Sequence, residues 1–231
     1  MENNFLQRLE MLVGPEALEI LSNKRIIVFG VGGVGGQAAE SLARSGIGSL
    51  TIVDRDIVDI TNINRQIIAL NSKIGQDKVE VLRQRLLDIN PNLKITAIKE
   101  EVNFATLASF DLKSYDFVVD AIDSIYDKIN LIMECVNHEI PIISSMGAGN
   151  RLDPTQVFIA DIFQTTYDPL AKMIREHLRK AHVKKLAVVT SKEQPKKTLT
   201  RKPSSSPFVP PAYGLAIASY ILNQYLMYNI K

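Results

Sequence analysis

Apolar positions fall into short β-branched runs separated by stretches with helical spacing, the alternation expected of βαβ units. Runs at 26–29, 50–54, 94–98, 116–123 and 141–145 read as five strands. Between them, 37–45, 78–89 and 128–137 read as helices; Val79, Leu82, Leu86 and Ile89 share one face of the second. Ahead of the first strand, 5–21 has helical spacing, and Gly14-Pro15 splits it into two short helices. After Gly149 the pattern changes to a strand at 155–162, a basic helix at 169–180 and a strand at 186–191. A Pro-, Ser- and Lys-rich stretch, 193–211, reads as a mobile loop, and a last helix is expected over about 213–228. Strands alternating with crossover helices predict a doubly wound, Rossmann-like α/β fold with a mainly parallel sheet. The expected organisation is a single domain over 1–231, with a nucleotide-binding core over 1–149 and a C-terminal α+β extension over 150–231.

The first strand runs into glycines. Gly30, Gly32 and Gly35, in "IIVFGVGGVGG", have the G-x-G-x-x-G spacing that brings backbone N–H groups close to phosphates. This turn alone fits a dinucleotide as well as a triphosphate. Asp54, closing the second strand, sits where an acid takes ribose hydroxyls, and it opens the charged cluster "DRDIVDITNINRQ". "GQDK" follows, with Lys78 at a helix start, and "DAIDS" is expected to leave Asp120 and Asp123 at the sheet's open edge. Arg65 and Lys78 suit the oxygens of a triphosphate. Asp123 suits Mg²⁺, which takes one or two carboxylates plus phosphate oxygens. Cations plus a metal-binding acid fit displacement of pyrophosphate better than hydride transfer.

"GVGGVG", "DRD", "NINRQ", "GQDK" and "DAIDS", in that order, resemble the adenylation domain of the ubiquitin-activating superfamily, which includes the sulfur-carrier-activating enzymes of molybdopterin and thiamine synthesis. The resemblance implies that Gly30, Gly32, Gly33 and Gly35 approach the phosphates and that Asp54 holds ribose. It also implies that Asp56, Asn64, Arg65, Gln66 and Lys78 belong to the nucleotide site, and that Asp123 holds Mg²⁺. Arg8, in "FLQRLEMLVG", matches a family arginine that reaches the neighbouring subunit's ATP site, which implies a homodimer. Read without the family, Arg8 is a surface helix residue. The arginines, Lys78 and Asp123 are the expected catalytic set.

The single cysteine, Cys135, sits among apolar helix neighbours, and there is no CxxC pair, so neither an enzyme thioester nor a zinc site is expected. "GAGNRLDPTQVFIADI", "DPLAKMIREHLRK", "VVTSKEQP" and "SSSPFVPPAYGL" resemble the tRNA threonylcarbamoyladenosine dehydratases, which adenylate and cyclise a modified adenosine of the anticodon loop. Pro207 departs from that pattern, where serine is more usual. The resemblance implies ATP and Mg²⁺ as cofactors, with a monovalent cation as a further candidate. It implies a tRNA carrying threonylcarbamoyladenosine as substrate, and a cysteine-desulfurase or sulfur-acceptor protein as a candidate partner. Adenylation of a small carrier protein's C-terminal glycine is the alternative activity; an NAD-dependent oxidoreductase and a non-catalytic nucleotide sensor also stay open.

Charge adds one feature. Net charge is +2, but 172–202 holds eleven Lys or Arg against two acidic residues, leaving sixteen basic and twenty-three acidic residues elsewhere. Arg175, Arg179, Lys180, Lys184, Lys185, Lys196, Lys197, Arg201 and Lys202 read as a tRNA-backbone surface or as a solvated helix face. The segment is short of aromatics, which fits phosphate and shape recognition better than base stacking. His177 and His182 lie in it, and neither reads as a general base. The acidic N-terminus predicts no signal peptide. The longest apolar tract, 213–230, is broken by Asn223 and Gln224 and predicts no membrane span; a cytoplasmic location is expected.

Overall fold

In β1 (Arg25–Phe29), Ile26, Ile27, Val28 and Phe29 are all fully buried, as a central strand covered on both faces requires. The computed structural model describes residues 4–198 and 204–226. Parallel neighbours of β1 are β2 (Ser49–Val53) and β4 (Phe117–Asp120). β3 (Lys94–Ile98) extends the sheet beyond β2, and β5 (Ile142–Ser145) extends it beyond β4. Outside β5 lies β7 (Ala187–Ser191), parallel, and then β6 (Val157–Asp161), which runs antiparallel along the edge. The order is β3-β2-β1-β4-β5-β7-β6. Strand order reverses between β1 and β4, and the crevice beyond their C-terminal ends is where doubly wound sheets bind ligands.

Alternate residues of β1 serve the two faces. Ile26 and Val28 join the core under α3 (Gly35–Arg44), α4 (Lys78–Ile89) and α8 (Val209–Leu226). Ile27 and Phe29 join the core under α5 (Phe104–Leu107) and α6 (Ile125–Asn137). A third cluster seals α6 against α7 (Pro169–Lys180) through Ile132, Ile174 and Leu178. The two N-terminal helices are α1 (Gln7–Val13) and α2 (Pro15–Ser22); α1 buries no residue.

Several expectations change. The fourth strand ends at Asp120, not 123, and α6 starts at Ile125, earlier than 128. The last helix starts at Val209, so 209–211 are helix rather than loop; Pro210 and Pro211 fall in its first turn, where no N–H is needed. The rest of the expected loop is tied down where it is described. Lys196 donates its N–H to the Asn150 carbonyl at 2.8 Å, and Ser204 exchanges two 2.7 Å hydrogen bonds with Asn150. Residues 199–203, and the expected helix end at 228, lie outside the described residues. The C-terminal third completes the same sheet, and α8 lies on α3 so closely that a Cβ at Gly214 would stand 2.4 Å from the Val34 carbonyl oxygen.

Candidate active site

Beyond the ends of β1, β2 and β4 opens a cleft of about 370 Å³. Its floor is the glycine turn. Gly30 has φ +82°, and a Cβ there would lie 2.6 Å from the Ala121 carbonyl oxygen. Gly30, Gly32 and Gly33 line the cleft, whereas Gly35 sits behind it. A Cβ on Gly35 would stand 1.8 Å from the Gly30 carbonyl oxygen, so this glycine lets α3 start directly against the turn. The positive end of α3 thus points at the cleft.

Asp54 comes directly after β2, which ends at Val53 rather than at 54 as expected, and its carboxylate accepts the N–H groups of Val31 at 2.8 Å and Asp56 at 2.9 Å. Lys78, the first residue of α4, is buried, and its Nζ donates to Asp56 at 2.7 Å. Asp56 therefore holds the lysine head at the cleft wall. Arg65 is half-buried, its guanidinium donating to the Thr61 carbonyl and to Asn64 Oδ1, each at 2.9 Å. A short 3₁₀ turn (Ile60–Asn62), capped by Asp59, sets up this geometry.

Asn64 does not line the cleft. Its Nδ2 donates to the Ser205 carbonyl at 2.9 Å, so the side chain bridges Arg65 to the segment before α8. The asparagine of this motif that is buried in the cleft is Asn62, which the sequence reading passed over. In a helical turn, 62, 65 and 66 share a face and 64 does not; that spacing was the available signal. Gln66 is buried in the cleft wall, and its Oε1 is the single buried side-chain polar atom without a partner among the described residues. Such an atom calls for a ligand, and an amide rotated by half a turn offers either a donor or an acceptor.

Asp123 is exposed and lines the cleft beside Ser124 and Asp127. Asp120 is not at the open edge. It is fully buried, taking Lys128 Nζ at 2.8 Å, Ser144 Oγ at 2.5 Å and the Ile122 N–H at 3.1 Å. It shapes the turn that carries Asp123. No group of three or more acidic, His or Cys side chains arranged to hold a metal occurs among the described residues. Arg8 is exposed on α1 and does not line its own chain's cleft.

Residues 6–199 match the model of the ThiF family. The chain belongs to the ThiF family. It is 44% identical to the tRNA threonylcarbamoyladenosine dehydratase of Bacillus subtilis (strain 168), over 93% of this chain and 92% of that protein. It is 32% identical to the molybdopterin-synthase adenylyltransferase of Escherichia coli (strain K12), over 69% of this chain and 63% of that one. Among solved structures, the E. coli tRNA N6-threonylcarbamoyladenosine dehydratase in complex with AMP superposes with a TM-score of 0.91 at 35% identity, covering 96% of this chain and 94% of that one. The same enzyme in complex with ATP gives 0.90.

Two further features bear on chemistry in this ThiF-family chain. Cys135 is buried behind the cleft, and burial, reinforced by Asp120 and Glu134, pushes its thiol up to about 12. It is no nucleophile at neutral pH. Of the expected basic surface, Lys172, Arg179, Lys180, Lys184, Lys185, Lys196 and Lys197 are exposed. Arg175 is not a free surface cation: its guanidinium donates to the Thr165 carbonyl at 2.8 Å and to the Thr165 hydroxyl. Arg201 and Lys202 lie outside the described residues. No helix among the described residues is long and apolar enough to cross a membrane.

Proposed function

We propose that this chain is an ATP-dependent tRNA threonylcarbamoyladenosine dehydratase, working in the cytoplasm as a homodimer. The observation that carries the reading is the 44% identity to such a dehydratase, sustained over 93% of the chain. The cleft fits ATP. It sets two cations, Arg65 and Lys78, and the unpartnered Gln66 amide oxygen around the glycine turn.

The threonyl carboxylate attacks the α-phosphorus of ATP, the bond to the bridging oxygen breaks, and pyrophosphate leaves with its charge. Arg65 and Lys78 meet the charge that develops on the leaving group. Asp123, with Asp127 nearby, would hold Mg²⁺, which when bound withdraws charge from phosphate oxygens. An atom of the substrate's own ureido group then attacks the activated carbonyl, loses its proton and expels AMP. The oxygen lost from the carboxylate departs in AMP, so the net change is dehydration. Ring closure is intramolecular, and holding the two ends together supplies much of its rate.

The test is radiolabelled ATP with threonylcarbamoylated tRNA, scored for AMP. Wild type and Cys135→Ser are expected to release AMP at equal rates, because no thioester is needed. No AMP with any such tRNA overturns the dehydratase reading, and a dead Cys135→Ser enzyme overturns the thiol-free route.

The dimer rests on α1, which buries nothing and leaves Met11 and Leu12 78% and 80% exposed beside Arg8. Ile57, Ile60, Ile63, Leu70 and Ile74 are exposed on the segment between β2 and α4. Apolar surface of this extent marks an interface. If Arg8 completes the partner's site, Arg8→Ala and Arg65→Ala are each inactive alone. Mixed and allowed to exchange subunits, they recover roughly a quarter of wild-type turnover, because half the dimers then hold one intact site. Absence of rescue overturns the shared site.

A further inference from the structure

Two exposed tyrosines lie outside the cleft lining, one on α6 and one just ahead of α7, and the chemistry above uses neither. Tyr126 is the second residue of α6, between Ser124 and Asp127, which both line the cleft, and it is 82% exposed. Tyr167 is 57% exposed and precedes Asp168, the N-cap of α7. The Asp168 carboxylate takes the Ala171 N–H at 3.0 Å and the Gly147 N–H at 2.9 Å, so α7 begins at the same sheet edge as α6, beside cleft-lining Ala148.

Tyr167 has φ +55°, a left-handed conformation that a bulky aromatic residue rarely adopts. The turn is clamped in that state from two sides. Arg151, almost wholly buried, donates Nη2 to the Tyr167 carbonyl at 3.1 Å, and Arg175 donates to the Thr165 carbonyl at 2.8 Å. Strain held in place by two arginines and a buried aspartate, only to present a ring to water, points to use rather than stability. Five bonds separate the reacting carboxyl carbon from the purine of the proposed substrate, about 6 Å in extended form. A carboxylate held at the α-phosphate therefore leaves the purine about 6 Å from the reacting carbon.

We propose that Tyr126 and Tyr167 stack the purine of the reacting nucleotide, a subsite that rests on the dehydratase reading. The exposed lysines of α7 and the turn after it then hold the flanking phosphates. Base stacking on aromatic rings is how unpaired RNA bases are commonly held, and Tyr167 closely precedes a basic segment that has no Phe, Tyr or Trp of its own.

An anticodon stem–loop with 2-aminopurine at the reacting position tests this. Binding to wild type is expected to quench its fluorescence, and Tyr126→Phe and Tyr167→Phe keep the quench. The Tyr126→Ala/Tyr167→Ala double variant loses it, and kcat/KM for threonylcarbamoylated tRNA falls about 5- to 150-fold. Its ATP affinity, by calorimetry, stays within twofold. Tyr167→Gly separates binding from folding: it relieves the backbone strain and raises Tm, yet weakens the quench. An equal quench in the double variant, or no binding of the RNA, overturns the stacking subsite. Absence of AMP formation by wild type with modified tRNA overturns the dehydratase reading instead, and the unmodified stem–loop still reports on the rings.

Discussion

Arg65→Ala is expected to lower AMP formation by about 10²–10³-fold at saturating ATP and tRNA, the usual loss when one preorganised donor to a developing negative charge is removed. The guanidinium is half-buried, and its anchors, the Thr61 carbonyl and Asn64 Oδ1, fix its direction before any ligand arrives. That preorganisation is what alanine removes. No core contact is lost, so circular dichroism and Tm should match wild type. A folded Arg65→Ala enzyme that retains activity within tenfold of wild type would refute the placing of the leaving pyrophosphate beside this residue.

Lys128→Ala is expected to act on stability rather than chemistry. Lys128 and Asp120 are both fully buried, 2.8 Å apart, with Ser144 as the only other side chain on the aspartate among the described residues. Removing one partner of a buried pair strands the other charge and costs about 3–5 kcal/mol. For a chain of this size that corresponds to a fall in Tm of about 6–20 °C. Thermal unfolding of Lys128→Ala and of the Asp120→Asn/Lys128→Met pair is the measurement. The double variant should recover much of the loss, since it leaves no stranded charge. A single variant within ~2 °C of wild type would show that the pair is not dry.

The strands were legible because buried parallel strands read as continuous apolar runs, and the first crossover because its glycines have a backbone reason to be there. What escaped was direction. In "DAIDS", two acids three residues apart differ only in whether the strand has ended, and β4 ends at the first of them. Asp120 consequently points into the core and Asp123 into the cleft. In "NINRQ", a single 3₁₀ turn sends Asn62 to the cleft and Asn64 to the Ser205 carbonyl. Arg175 looked like part of a solvated basic face, but it folds back onto the carbonyls of the preceding turn. Its neighbours on α7 remain exposed. Each of these residues was chosen for its chemical type. The sequence pattern could not say which way it faced, because that depends on where an element stops, to within one residue.

The Asn64 side chain has one amide and two loyalties. Its oxygen holds the arginine that lines the cleft, and its nitrogen holds the chain just ahead of α8. Displacing either the arginine or the chain at Ser205 would strain or break a hydrogen bond of the same amide. The cleft arginine and the turn at Ser205 are therefore held in one register by a single side chain that does not itself line the cleft.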